Sequence, residues 1–444
     1  MPSIKHALLF ALLALANVAA FAAPEIQHWT TKNGARVYFV PAPELPMVDV
    51  RVLFDAGSAH DDTTAGLAAL TSNLLNDGAQ SAGGELGADE IADRFASLGA
   101  QFGAGVDRDT ASVRLRSLTR PAVLQPALDT LALLLQRPSF PAAAFERERD
   151  RTRVALRAQA QSPGDIAGKA FYRALYGTHP YATEQAGTEA SLDLLTRDHL
   201  VAFHKRYYVA RNAVIAIVGA LSRSEADAVV DTLMAGLPAG EPAPPLPTVE
   251  ALAAARTIEI AHPSVQTHIL MGQPGLRRID PDYFPLLVGN HILGGSGLVS
   301  RLSDEIREKR GLSYSSYSYF LPLREAGPFT LGLQTRNEQT GEALKVLRDT
   351  LRTFTEQGPT ARELQSAKQN ITGGFALRID SNAKLVEYLA LIGFYNLPLD
   401  FLDTYSRHVE AVTLAQIKDA FQRRVQPERM ITVVVGGGAA EALP

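Results

Sequence analysis

Apolar positions along this chain change period several times, and each change marks an element. From Val48 to Phe54 apolar and polar residues largely alternate, the period-2 pattern of a half-buried strand. Thr64–Asn76 carries Leu67, Leu70, Leu74 and Leu75 at helical spacing, and Asp89–Leu98 reads as a second helix. Thr110–Leu118 alternates again, and four helix-like stretches are expected between it and the continuous apolar strand Ala213–Gly219. The order then recurs. Val265–Met271 predicts a strand, Pro281–Leu293 and Leu298–Arg307 predict helices, and Ser313–Phe320 and Phe329–Thr335 predict strands. Helices follow to Arg424, then the apolar strand Met430–Gly436. Strands with helices gathered after them predict an α+β fold, an antiparallel or mixed sheet with helices on one face.

Two stretches look like copies of each other. Ala202-Phe203-His204-Lys205-Arg206 leads into Ala213–Gly219, and Ala420-Phe421-Gln422-Arg423-Arg424 leads into Met430–Gly436. Each is a helix end followed by an unbroken apolar run, the signature of a buried strand. A period of this length implies duplicated domains rather than a short-repeat solenoid. Leu237–Val249 reads LPAGEPAPPLPTV; its prolines cannot sustain a helix or a central strand, so it is expected to be a semi-extended linker. The expected division is a leader over 1–22, an N-terminal domain over 23–236, the linker over 237–249 and a C-terminal domain over 250–444.

Composition narrows the function classes. The 444 residues are 46% hydrophobic and 20% charged, an ordinary globular balance that argues against long disorder. A net charge of −4 supplies no global field for nucleic acid. With no cysteine there is no disulfide, thiolate zinc site or cysteine nucleophile. Lys5 and His6 precede an apolar run from Ala7 to Phe21, and Ala20-Phe21-Ala22 offers a small-x-small cleavage site before Ala23. The run is shorter than the roughly 20 residues of a spanning helix. It reads as a secretory signal peptide, with a retained anchor as the alternative. A periplasmic or secreted mature chain without a membrane span is expected.

The densest local signal is Asn290–Tyr319, NHILGGSGLVSRLSDEIREKRGLSYSSYSY. It reads as a helix, a glycine turn, a second helix and a strand. Gly294, Gly295 and Gly297 are expected to turn the backbone tightly through positive φ. They form no phosphate loop, because the Lys-Ser/Thr pair after the last glycine is missing. Arg307, Glu308, Lys309 and Arg310 end the second helix, where cations suit its dipole.

This segment resembles the pitrilysin/insulinase family of zinc metallopeptidases, in the branch with chains of about this size. Phe145-Glu146-Arg147-Glu148-Arg149, the run from Ala202-Phe203-His204 through Tyr207-Tyr208 to Asn212, and the duplicated halves carry the resemblance more weakly across most of the mature chain. It implies two homologous domains like those of pitrilysin and mitochondrial processing peptidase, each a mainly antiparallel sheet with helices on one face. It also implies that two chains face each other across a closed peptide chamber.

The departure lies at the metal. Family peptidases carry HxxEH on an early helix and a glutamate ligand on a later one. Two histidines one turn apart can grip one zinc ion, and the glutamate takes a proton from its water. On the matching helix here, Gly66–Leu75, the histidine positions hold Ala69 and Asn73 and the glutamate position holds Ser72. The later ligand position, counted from Glu148-Arg149, falls near Ala155. No metal is therefore expected on this chain. Active members also use an arginine and a tyrosine seven residues apart in the non-zinc domain, and the matching positions here are Arg307 and Tyr314. The resemblance implies that Arg307 holds substrate and that the Tyr314 hydroxyl stabilises the oxyanion. Family members also pair extended substrate with a strand edge near Gly103 and Ala104, where Asn-Ala is common. The asparagine is missing here, and a glycine-rich turn is the alternative.

Two functions are therefore expected. The chain is either the non-zinc subunit of a heteromeric peptidase, with zinc on a homologous HxxEH-bearing partner and an extended peptide as substrate, or an inert scaffold or peptide-binding protein of the same fold. A metal site from His60, Asp61 and Asp62 is a minor alternative. His199 and His204, five apart on a helix, are poorly placed to share a metal.

Overall fold

The structure, a computed structural model, describes residues 25–437. The expected leader and its cleavage site lie outside the described residues. Within them, no helix is long and apolar enough to cross a membrane. Thirteen strands form two large sheets and a small hairpin. The first half contributes β1 (Gln27–Thr30), β2 (Arg36–Pro41), β3 (Met47–Phe54), the hairpin β4 (Gly78–Ser81) and β5 (Gly84–Gly87), β6 (Gln101–Val106), β7 (Ala111–Leu118) and β8 (Ala213–Gly219). The second half contributes β9 (Arg256–Ile260), β10 (Gln266–Pro274), β11 (Ser316–Phe320), β12 (Pro328–Arg336) and β13 (Ile431–Val435).

The sheet orders show the duplication directly. The first runs β1-β2-β8-β3-β7-β6 and the second β11-β12-β10-β13-β9. Read from opposite ends, β2-β8-β3-β7-β6 matches β9-β13-β10-β12-β11. In each sheet one pair is parallel, β2 with β8 and β13 with β9, and the other pairings are antiparallel. The last strand of each half therefore lies inside its sheet. β6 and β11 are equivalent edge strands.

β8 is apolar throughout because both of its faces are covered. Ala213, Ile215 and Ile217 enter the core under the first half's own helices. Val214, Ala216 and Val218 point the other way and join the core of the second half. There the helix Asn382–Tyr395, from the second half, lies across β2, β8 and β3. Gly393 permits the approach, since a Cβ there would come within 2.5 Å of Tyr38. The reverse exchange also occurs: the first-half helix Pro163–Tyr176 packs on β10 and β13, and Phe171 shares a core with Ile431, Val433 and Val435. Each sheet thus keeps its own helices on one face and receives one helix of the other half on the second.

A buried polar knot joins the halves near these helices. The carboxylate of Asp109 accepts from the Tyr181 hydroxyl at 2.6 Å, the Tyr395 hydroxyl at 2.9 Å and the Arg324 amide at 2.8 Å. Burial pushes the Asp109 carboxyl above the usual range, against these three donors. Arg324 also pairs with Asp55 at 2.9 Å, and Asp55 meets His60 Nε2 at 3.0 Å.

Several expected boundaries shift. Five α-helices, not four, stand between β7 and β8. The helix expected over Thr64–Asn76 spans only Leu67–Asn73. The helix expected over Leu298–Arg307 is broken into a 3₁₀ turn (Gly297–Val299), one α turn (Arg301–Ser303) and a π turn (Asp304–Glu308). Ser300 starts the α turn there by accepting from the Ser303 amide. Residues 238–255 hold no helix or strand, yet they are pinned: His179 Nε2 donates to Pro247 O at 2.8 Å and Ala243 N to Asn212 Oδ1 at 3.0 Å.

Candidate functional site

The helix Leu67–Asn73 begins where Gly66 turns the chain at φ +92°, a conformation that side chains disfavour, with Ala186 and Gly187 crowding the place of a Cβ at 3.0 Å. Its first amides are capped from a distance. Asp61 Oδ2 accepts from Gly66 N and Oδ1 from Ala68 N, both at 2.8 Å. Burial lifts the Asp61 carboxyl to about 7, against the pull of those two amides. The adjacent acids look solvated in the sequence, and Asp61 is not. His60 turns instead to Asp55 and stacks on Tyr207. His60 and Asp61 are thus engaged with separate partners, and Asp62 is exposed.

On this helix Ser72 is fully buried and its hydroxyl has no hydrogen-bond partner. Asn73 is exposed at its edge, and its amide donates to Glu148 Oε1 at 3.0 Å. The other Glu148 oxygen pairs with Arg151 at 3.1 Å. Glu148 stands on the helix Ala142–Gln159, as does Ala155, which is exposed two turns further on. The acid that meets the helix of Ala69, Ser72 and Asn73 is therefore Glu148, one that the sequence reading used only as a counting mark. These residues do not fit a zinc ion. Ala69 and Ala155 offer no side-chain donor, the Asn73 amide is spent on Glu148, and both Glu148 oxygens are taken. Among the described residues no group of three or more His, Cys, Asp or Glu is placed to hold a metal.

In the second half there are two π turns, His291–Gly295, which contains Gly294 and Gly295, and Asp304–Glu308. Such turns mark inserted residues within helices. Of the three glycines expected at positive φ, only Gly297 has it, at +64°. Gly294 serves a different need: a Cβ there would come within 2.4 Å of the Ser318 amide on β11. Asn290 fastens the same contact, donating to Ser318 O at 3.1 Å and accepting from Ser318 Oγ at 2.7 Å.

Arg307 lies in the second π turn. Its neighbours are committed to the acids one turn back: Lys309 pairs with Asp304 and Glu305, and Arg310 with Glu305. Arg307 has only a loose contact with the adjacent Glu308, at 3.4 Å. Arg301, at the head of the segment, is clamped to Glu363 through two bonds of 2.5 and 2.6 Å. The base of the turn is thus fixed while the Arg307 side chain stays available. The strand expected from Ser313 starts only at Ser316. Residues 311–315 form a loop that begins at Gly311, φ +60°, and is braced by the Ser313 hydroxyl, which donates to Ser315 O. Tyr314 sits in that loop with 88% of its surface exposed. Tyr317 and Tyr319 are strand residues, stacked at 5.9 Å, with Tyr317 lying over Gly332 of β12.

Gly103 and Ala104 lie on the edge strand β6, opposite Arg114 and Val113 of β7. They belong to a strand and not to a loose turn. The outer side of β6 carries no strand partner among the described residues. The structure brings the helix of Ala69, Ser72 and Asn73 together with Glu148 in the first half, and sets Arg307 and Tyr314 on successive segments of the second, the π turn and the loop that follows it.

Comparison with known proteins adds the following. The family model described as insulinase (peptidase family M16) matches residues 36–189, and the model described as peptidase M16 inactive domain matches residues 194–371. The crystal structure of a peptidase M16 inactive domain from Pseudomonas fluorescens superposes with a TM-score of 0.90 at 40% identity, over 94% of this chain and 98% of that one. An uncharacterized zinc protease of Bacillus subtilis, YmxG, is 27% identical over 81% of this chain and 86% of its own. A Helicobacter pylori relative called a non-peptidase homolog is 25% identical, covering 88% of this chain and 89% of its own length.

Proposed function

Because the chain belongs to the insulinase family, peptidase M16, and its helix Leu67–Asn73 carries no histidine or acid, we propose that it is the substrate-holding subunit of a two-chain peptidase. A homologous partner bearing HxxEH supplies the zinc and its base. The observation that carries this reading is Tyr314, a large aromatic side chain 88% exposed on the loop that follows the π turn of Arg307, whose own ion pair is a loose 3.4 Å contact with Glu308. An aromatic side chain held out on a braced loop suits an anchor that is covered when a second chain and a peptide arrive. Leu298 and Val299, 61% and 85% exposed on the turn before Arg307, support a docking surface in the same place.

The chemistry assigned to this chain follows from its own side chains. The planar Arg307 fork donates to a carbonyl of an extended peptide and fixes its register. The Tyr314 hydroxyl donates to the carbonyl oxygen as negative charge develops on it. The edges of β6 and β11 offer backbone groups for strand addition, which gives affinity with little sequence preference. The segment ahead of residue 23 is assigned to export, so that the complex works in the periplasm or outside the cell.

A second reading keeps the fold and drops the chemistry: a scaffold or peptide-binding protein. The lost ligands and the Helicobacter relative's designation favour it. One experiment separates the two. The mature chain is assayed for peptide hydrolysis alone, mixed with the HxxEH-bearing homologue of the same organism, and mixed in the presence of a zinc chelator. Activity only in the mixture and lost on chelation establishes the composite enzyme. A verified complex without activity establishes the scaffold.

A further inference from the structure

Between the two halves lies a cavity of about 560 Å³, within the range of small-molecule sites. Neither Arg307, Tyr314 nor any residue of the helix Leu67–Asn73 lines it. Its walls come from both halves: Arg51 and Leu53 of β3 and the β6–β7 turn on one side, and the helices Tyr283–Asn290, Asn382–Tyr395 and Phe401–Ala411 on the other.

The charge lining it is unbalanced. Four arginines, Arg51, Arg108, Arg278 and Arg378, face two carboxylates, Asp107 and Glu387. Arg51 pairs with Glu387. Arg108 is occupied in part, donating to Tyr181 O and lying 3.8 Å from the Tyr172 ring centroid. Arg278 and Arg378 form no ion pair among the described residues. The Nε of Arg278 is buried without a hydrogen-bond partner. Arg278, Arg378 and Tyr283 all line the cavity, and the Arg278 guanidinium lies 5.2 Å from the Tyr395 ring centroid in the same wall. Arg278 is half-buried, and an unpaired cation there is costly, whereas Arg378 is exposed at the rim. The rest of the lining is apolar or aromatic, with Leu287, Leu391, Phe394 and Phe401 prominent.

We propose that this inter-half cavity binds a small carboxylate on an apolar body, the carboxylate held by Arg278, Arg378 and the Tyr283 hydroxyl and the body packed against Leu287, Leu391, Phe394 and Phe401. A guanidinium pair matches a carboxylate in shape and charge. The volume admits a chain of several carbons or one to two apolar residues. Two sources share this chemistry, a free carboxylic acid and the C-terminus of a short apolar peptide.

The test is calorimetric titration of the full mature chain with octanoate, octanamide, N-acetyl-leucyl-phenylalanine and its C-terminal amide, together with the thermal midpoint in each. A ligand that binds the folded chain alone raises that midpoint. At least one acid is expected to bind ten-fold or more tightly than its amide; octanoate alone points to free acids, and the peptide acid alone to peptide termini. Arg378→Gln, at an exposed residue whose change leaves inter-half packing intact, is expected to weaken that acid ten-fold or more. Leu391→Trp, which narrows the cavity, is expected to weaken acid and amide alike. Failure of both acids to bind at millimolar concentration overturns the assignment. So does equal binding of acids and amides, or an Arg378→Gln chain of unchanged affinity.

Discussion

The side-chain amide of Asn73 donates to the carboxylate of Glu148 across 3.0 Å, and Arg151 closes the other oxygen. The family resemblance sets Asn73 at the position where peptidases of this family carry a metal-ligating histidine. Here the same place holds a neutral donor, and the neighbouring acid is satisfied without an ion. Asn73→Leu removes that donor and leaves a buried carboxylate with one partner. The expected loss is about 1–3 kcal/mol of stability, read from urea unfolding. Asn73→Asp, which sets two carboxylates against each other, is expected to cost more. Equal stability of all three chains would mean that Glu148 is held by Arg151 alone.

Tyr314→Phe keeps the ring and deletes only the hydroxyl. In the assembled two-chain peptidase it is expected to lower kcat ten-fold or more, about 1.4 kcal/mol, with KM little changed. Arg307→Ala is expected to raise KM instead, because its contact is made in the bound substrate as well as in the transition state. Steady-state kinetics on complexes verified by gel filtration distinguish the two. An unchanged kcat for Tyr314→Phe removes the hydroxyl from the chemistry.

His204 lies buried in the helix Arg197–Tyr207, with Nε2 donating to Leu135 O at 3.0 Å. Burial lowers its pKa from 6.5 to about 4. Between those values the unfolded chain takes up a proton that the folded chain does not. Stability is therefore intact above pH 6.5 and falls as the pH drops toward 4, at up to about 1.4 kcal/mol per unit. His204→Gln retains an N–H for Leu135 and no longer titrates. Its urea midpoint is expected to shift less than that of the native chain between pH 7 and pH 5. Parallel shifts would assign the acid sensitivity elsewhere.

Tyr181 and Tyr395, one from each half, share the carboxylate of Asp109. Tyr181→Phe and Tyr395→Phe are each expected to destabilise the chain by about 1–2 kcal/mol. The double variant is expected to depart from the sum, because both hydroxyls serve one acceptor. A double-mutant cycle in urea measures the coupling, and simple additivity would show that the two bonds are independent.

Much of the fold was legible from local pattern. The unbroken run Ala213–Val218 announced a strand covered on both faces, and the similar run near the C-terminus announced a second copy. What covers the second face was not legible. The helix Asn382–Tyr395 follows β8 by more than 160 residues, and its sequence records only that it is apolar nearly all round. At the candidate site, the family spacing singled out Arg307 and Tyr314. It did not show that Arg307 sits in a π turn or that Tyr314 precedes the strand, since inserted turns leave the hydrophobic period almost unchanged. The burial of Asp61 was hidden for another reason. An acid pair in a loop looks solvated until the turn at Gly66 brings two free amides to it.

The exchange of Pro163–Tyr176 and Asn382–Tyr395 makes the molecule a pair of interlocked arms. A half-length relative with this sheet would leave an apolar face bare, and two such molecules would cover each other by lending one arm each. In this single chain the same embrace is made within one molecule, and the proline-rich stretch is the tie between the two halves. Severed there by a protease, the two pieces would remain clasped, because the exchanged arms hold them together and the tie itself stays pinned to the first half.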